Sequence, residues 1–194
     1  MGKILESLQN TVIAGIVLTL LIIGAQSNWF AQFEFDAAFY ARYLHVLSGV
    51  MWIGLLWYFN FVQIPTMPSI PDELKPAVGK HIAPAALFYF RWAAKATLLT
   101  GLWLAMVNGY LVEAFTLAEG TRLIGLGMYM AIIMWFNVWF VIWPNQKVAL
   151  GIVEADADAK PAAARKAMLF SRTNTLLSIP MLVCMVGQQN GLAF

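Results

Sequence analysis

The sequence predicts an all-α integral membrane protein, a bundle of five transmembrane helices with the N-terminus in the cytoplasm and the C-terminus outside. Of the 194 residues, 61% are hydrophobic and only 11% are charged, whereas a soluble domain carries about 25% charged residues. Apolar stretches recur at lengths that can cross a bilayer, which takes about 20 residues. The charge deficit indicates that lipid faces much of the chain.

The first three predicted helices belong to one transmembrane domain that covers residues 1–194. The first helix spans about 11–30, and we expect it to be retained because no clear small-residue cleavage site follows it. The second helix spans about 37–64 and ends at Pro65. The third spans about 83–108, with a proline in its first turn, where the missing N–H costs nothing.

The last two helices are separated by a long polar segment. The fourth spans about 123–143 and stops at Pro144, since proline lacks the N–H that would continue the helix. Residues 146–170 are rich in Ala, Lys, Arg and Asp, and we interpret them as a polar helical loop on the cytoplasmic side, at the membrane surface. The fifth helix follows at about 173–188.

The distribution of basic residues predicts the orientation, because cytoplasmic loops of membrane proteins are enriched in lysine and arginine. With five helices, eight basic residues fall on one side and two on the other. The eight, on the predicted cytoplasmic side, are Lys3, Lys75, Lys80, Lys147, Lys160, Arg165, Lys166 and Arg172; the two are Arg42 and Arg122.

His45 is the first candidate site residue, because an ionisable group within a membrane span is costly and indicates function. It lies about eight residues into the second helix, roughly 12 Å below the outer surface at helical rise. Gly49, one turn away, leaves room for a flat macrocycle or a neighbouring helix. His45 is therefore either a metal or haem ligand or a structural histidine hydrogen-bonded to another helix. Its predicted interior-facing stripe also holds Trp52, Leu56, Phe59, Asn60 and Gln63.

Arg91 and Lys95 are the second candidates, four residues apart on one face of the third helix. Two stacked cations repel each other, so we expect an anion to compensate them: a haem propionate, an anionic substrate, or a lipid phosphate reached by snorkelling. The expected arrangement places the His45 imidazole and the Lys95 ammonium in the bundle interior, where they face a common ligand.

A second axial ligand for a haem at His45 has to come from a residue other than histidine. The only other histidine, His81, lies at the cytoplasmic start of the third helix, and the two depths differ by roughly 20 Å or more. Met185, in the outer half of the fifth helix, is the best internal candidate. Met106, Met128 and Met130 lie at comparable levels, and simple packing explains any of them equally well.

Three further polar residues lie within the predicted spans, Asn137 in the fourth helix and Asn174 and Ser178 in the fifth. Hydrogen bonds between helices explain them without any catalytic role. The single cysteine, Cys184, excludes an internal disulfide framework, a cysteine-based zinc site and covalent c-type haem attachment.

Several short segments resemble, in order, signatures of the membrane domain of bacterial urate hydroxylases (the PuuD type). They lie at 44–49, 52–54 and 58–59, at 90–94 with 100–101, at 145–146, and at 174 with 178–181. The resemblance implies a short relative that lacks that family's cytochrome c domain, in a bacterial inner membrane. Any electron acceptor would then be a separate protein.

A looser resemblance extends to membrane protoporphyrinogen oxidases of the HemJ type. His45 precedes a Trp-x-Gly stretch and Lys95 lies in the following helix, as in that family's pattern. This resemblance implies a haem or porphyrin held by the histidine, with the lysine near a carboxylate.

The leading functional hypothesis is a haem b-binding, redox-active membrane protein with His45 as axial ligand; an oxidoreductase activity is left open. One alternative is a non-catalytic accessory subunit of a larger membrane complex. Another is an organic-anion transporter that uses Arg91 and Lys95. The expected partners are membrane lipid and an electron-transfer protein or larger complex, with a homo-oligomer left open and no nucleic acid.

Overall fold

The computed structural model describes residues 2–26, 36–156 and 158–192, and within these ranges every regular element is a helix. This confirms the predicted all-α class. The chain divides into two compact units, Met1–Asp36 and Ala37–Phe194.

The first unit contains a short helix, α1 (Gly2–Leu5), and a membrane-length helix, α2 (Leu8–Gln26). The hydroxyl of Thr11 joins them, because it lies 3.0 Å from the carbonyl oxygens of both Ile4 and Ser7. Most leucines, isoleucines and valines of α2 are exposed. The helix begins three residues earlier than predicted, and the predicted end at 27–30 lies outside the described residues.

The second unit is built from four long helices, one short one, and the helical segments Lys75–Ala77 and Val78–Ile82 that lead into the second long helix. The four long helices and the short one are α3 (Ala37–Ser69), α4 (Ala83–Val107), α5 (Leu111–Phe115), α6 (Arg122–Ala149) and α7 (Ala159–Gln189). Helix α3 packs along α4, α4 against α6, α6 along α7, and α7 against α3. The four long helices therefore close a ring around a common interior.

Part of the interior of this ring is a closely packed apolar core. Trp52, Leu56, Phe90 and Met134 are almost completely buried, and the rings of Phe59 and Phe90 meet edge to face at a centroid distance of 5.6 Å. Many large apolar side chains also face outward from the bundle. An apolar exterior around an apolar interior is the pattern of a protein surrounded by lipid.

The prolines do not end the helices, contrary to the predicted stops at Pro65 and Pro144. Both α3 and α6 continue through a π-helical segment, Tyr58–Gln63 in α3 and Asn137–Ile142 in α6. Each segment ends two residues before its proline, and Val78–Ile82 precedes Pro84 in the same way. Because a proline ring displaces the carbonyl four residues earlier, wider i to i+5 bonding lets the helix continue.

The predicted polar helical loop at 146–170 is helical at 146–149 and 159–170, as parts of two long helices. Helix α6 runs to Ala149, and Gly151 follows in the left-handed conformation (φ 69°) that commonly ends helices. Helix α7 begins at Ala159 rather than near 173, because the Ala, Lys and Arg residues of this segment are strong helix formers. Residues 159–170 of the polar segment thus form the first part of a 31-residue helix.

Among the described residues, four helical segments are long and apolar enough to cross a membrane: Leu8–Ala25, Ala37–Ser69, Arg122–Ala149 and Ala159–Gln189. The 25 residues of α4 are sufficient in length, but this helix carries Arg91 and Lys95. The structure thus supports a membrane protein. The fifth crossing and the orientation stay predictions.

Candidate functional site

A cavity of about 590 Å³ lies within the second unit, between α3, α4, α6 and α7. This volume falls within the roughly 300–1,000 Å³ that small-molecule sites occupy. Most of the lining side chains are apolar. The polar lining residues are few, and apart from the tryptophan indoles they are Arg42, His45, Thr97, Tyr110, Gln189 and Asn190.

His45 lies on the wall of this cavity, where its imidazole is held by the backbone of α4. Its Nδ1 is 2.9 Å from the carbonyl oxygen of Thr97 and 3.4 Å from the hydroxyl of Thr100. Because a carbonyl oxygen only accepts hydrogen bonds, Nδ1 must carry the proton. Nε2 is then the unprotonated nitrogen, and among the described residues it has no hydrogen-bond partner. A histidine held in this way is ready to bind a metal.

Gly101 makes this arrangement sterically feasible. A Cβ atom at position 101 would lie 2.7 Å from Cε1 of His45 and 3.0 Å from its Nδ1, closer than real contacts allow. The imidazole therefore packs directly on the backbone of α4. Gly49 also lines the cavity, but a Cβ there would meet only Thr97 Cγ2, at 3.8 Å. In the sequence, Thr100 and Gly101 stood out only as part of the resemblance to urate hydroxylases. Nothing else in the sequence indicated their contact with His45.

Met185 lines the same cavity from α7, so the structure brings His45, Gly49 and Met185 together. The Met185 methyl group packs near Gly127 of α6, where an added Cβ would lie 3.2 Å from it. Met128 and Met181 also line the cavity, while Met106 and Met130 do not.

Arg91 and Lys95 do not line the cavity, and the expectation that Lys95 and His45 face a common ligand is wrong. Lys95 is exposed, while Thr97, two residues further along α4, is buried against α3. Residues two apart on a helix point about 200° away from each other. Lys95 therefore points nearly opposite to Thr97, away from the contact with His45.

Tryptophans, rather than carboxylates, accompany these cations. The Arg91 guanidinium carbon lies 3.3 Å from the centroid of the Trp143 ring, and Lys95 Nζ lies 5.8 Å from that of Trp139. The two cations and the two tryptophans are each four residues apart, so antiparallel α4 and α6 form two successive cation–π contacts. Each such contact stabilises by about 0.5–2 kcal/mol. Aromatic rings thus replace part of the expected anionic compensation.

Asn137, Asn174 and Ser178 form hydrogen bonds between helices, as predicted. Asn137 Nδ2 donates to Asn174 Oδ1 at 2.9 Å, and Asn174 Nδ2 donates to the Met134 carbonyl at 2.9 Å. The Trp57 indole donates to the Ser178 hydroxyl at 3.0 Å. These bonds join α7 to α6 and α3, which explains these polar residues as structural cross-links.

Comparison with known proteins gives one match. The family model described as Urate oxidase N-terminal matches residues 114–194, less than half of the chain. The matched range contains α6, α7 and Met185, whereas His45, Gly49 and Gly101 lie outside it. No curated protein and no solved structure matches the chain significantly. Residues 114–194 of this chain are thus similar to the urate oxidase N-terminal family.

Proposed function

We propose that the cavity of the second unit binds one haem b, with His45 as axial ligand, in a redox-active membrane protein. One observation carries the proposal: the His45 imidazole, on the wall of a cavity of about 590 Å³, has Nδ1 bound to the Thr97 carbonyl at 2.9 Å. This bond selects the tautomer whose Nε2 lone pair is available to iron. When bound, haem supplies one-electron redox chemistry.

The available ligand atoms favour haem over a bare metal ion. In the described ranges no group of three or more His, Cys, Asp or Glu side chains comes together, and a bare ion needs several such ligands. A porphyrin brings four nitrogen ligands of its own, so that one imidazole is sufficient. The mostly apolar lining would exclude water from the macrocycle.

For the second axial position we propose Met185, because it approaches the same cavity from α7. A thioether sulfur is a recognised haem ligand and raises the reduction potential relative to a second histidine. Met128 and Met181 are the alternatives within the lining.

For the propionates we propose Arg42 in place of Arg91 and Lys95. Arg42 lies three residues before His45 on α3 and belongs to the cavity lining, together with the polar side chains of Tyr110, Gln189 and Asn190. A guanidinium can bind a carboxylate through two parallel hydrogen bonds. Among the described residues, no aspartate or glutamate lines the cavity to oppose this.

An absorption spectrum of the purified chain, before and after dithionite reduction, tests the proposal. We expect a b-type band that His45→Ala removes and that added imidazole restores in His45→Gly. His81→Ala is the matched control, because His81 is the only other histidine, is exposed and lies outside the cavity lining. Its band should equal that of the wild type.

Two results would contradict the proposal. One is a chain that shows no b-type band even after incubation with haem, and the other is an unchanged band in His45→Ala. A colourless chain that always copurifies with a larger membrane complex would instead favour the accessory-subunit function.

A further inference from the structure

A cluster of cations and tryptophans lies between α4 and α6, outside the cavity lining. This cation–tryptophan cluster contains Arg91, Lys95, Lys147, Trp92, Trp139 and Trp143. Lys147 Nζ lies 5.8 Å from the centroid of the same Trp143 ring on which Arg91 stacks, and Lys95 Nζ lies 5.2 Å from that of Trp92. Three positive charges thus share three indole rings.

The cluster has no carboxylate partner in the part of the chain that the structure describes. The one ion pair there joins Lys75 and Asp72, far along the chain from Arg91. Arg91 makes no hydrogen bond to any described residue, and its Nε and Nη1 atoms are both removed from solvent without a partner. A buried donor left unpaired costs about 1–3 kcal/mol. An anion is the group that would satisfy both the charges and the donors.

The stacking on Trp143 also holds the Arg91 guanidinium in a position from which it can bind such an anion. With its carbon 3.3 Å from the ring centroid, the guanidinium has a fixed position on the indole. An arginine held by an aromatic ring keeps the N–H donors of its edge for a phosphate or carboxylate, which it can bind through two bonds. Lys147 adds a second, mobile cation beside the same ring.

The surroundings suit an amphiphile rather than a small soluble anion. Trp143 lies six residues, roughly 9 Å, before the end of α6, a depth that long cationic side chains span to reach a headgroup. Beside the cations, the rings of Phe88 and Trp92 are 51% and 47% exposed and lie 6.4 Å apart. These rings provide an apolar surface for acyl chains, next to the positively charged side chains of the cluster.

We propose that the cation–tryptophan cluster binds the phosphate of an anionic phospholipid, with the acyl chains along the aromatic surface of α4. The proposal does not depend on haem binding, because none of the cluster residues lines the cavity.

Native mass spectrometry of the full chain in neutral detergent tests this, with phosphatidylglycerol, phosphatidylcholine and inorganic phosphate as separate probes. We expect phosphatidylglycerol to be retained at least about fivefold more than phosphatidylcholine, the preference that a single cation near an anionic headgroup provides. Arg91→Gln should remove that preference. Arg91→Lys should weaken it, since lysine keeps the charge but loses the planar fork.

Arg122→Gln is the matched control, because Arg122 is an exposed arginine of α6 outside the cluster. It should retain lipid as the wild type does. If Arg91→Gln fails to fold, Arg91→Lys and Lys147→Gln decide the outcome. Equal retention of the two lipids by the wild type would overturn the proposal, as would an equal loss in Arg122→Gln. Inorganic phosphate that raises the unfolding temperature while phosphatidylglycerol does not would also overturn it, in favour of a soluble anion.

Discussion

Replacing Gly101 by alanine should move the His45 imidazole without unfolding the bundle. The added Cβ would start 2.7 Å from Cε1 of His45, and ordinary contact begins near 3.4 Å, so the ring has to recede by about 0.7 Å. A similar displacement of Nδ1 would lengthen its 2.9 Å bond to the Thr97 carbonyl beyond the usual range. The imidazole would then lose the bond that fixes its tautomer.

The effect on stability should be small because two contributions oppose each other. Loss of the hydrogen bond costs about 0.5–1.5 kcal/mol, and alanine is a better helix former than glycine by about 1 kcal/mol. The effect on haem affinity should be large. Loss of a hydrogen bond that orients a metal-binding histidine typically weakens metal affinity by about 10–100-fold.

Two measurements check this prediction. Nitrogen NMR of ¹⁵N-histidine in Gly101→Ala should show that the Nδ1-protonated tautomer of His45 is no longer dominant, and His81→Ala assigns the two signals. Haem titration should show the weaker affinity, with Gly15→Ala as the helix-propensity control, because nothing lies within 4 Å of a Cβ at Gly15. An unchanged tautomer in Gly101→Ala would refute the packing argument. An altered tautomer with unchanged haem affinity would refute the ligand role of His45.

Two further predictions concern residues around the same interior. Gly49→Ala should keep His45 in place and stabilise α3 by up to about 1 kcal/mol, since its methyl group meets only Thr97 Cγ2 at 3.8 Å. That methyl would enter the cavity, so haem titration of Gly49→Ala should show weaker binding. An unchanged haem affinity in this variant would mean that the macrocycle lies elsewhere. Asn174→Ala should destabilise the bundle by about 1–3 kcal/mol in denaturant titration, because it removes the acceptor of the buried Asn137 side-chain amide. A double-mutant cycle with Asn137→Ala should give a coupling of about 0.6 kcal/mol, and additive effects would argue against the bond.

The helical class and the membrane setting followed from the sequence because both are properties of local composition. A run of apolar residues long enough to cross lipid has to form a helix, since lipid cannot satisfy exposed backbone groups. The same local periodicity correctly placed Trp52, Leu56 and Asn60 on the buried face of α3. It also indicated that Asn137 and Asn174 would form hydrogen bonds between helices.

The helix ends were less predictable, because the rule that proline stops a helix has an exception that depends on neighbouring turns. At Pro65 and Pro144 the backbone widens into a π-helical segment, and the helix continues. Packing against α7 stabilises the continuation of α6, and no local pattern reports that packing. The sequence alone therefore predicted helices that were too short.

For the candidate site, the sequence determined that His45 is an ionisable group on the interior stripe of a membrane helix. Only the tertiary structure decided that Thr97 and Gly101 lie opposite it and that Arg91 and Lys95 turn away to the tryptophans of α6. The physical reason is the range of the contacts. The face on which a residue lies depends on neighbours three or four positions away, whereas the partner of His45 lies 52 residues along the chain. That pairing is set by how α3 and α4 pack side by side.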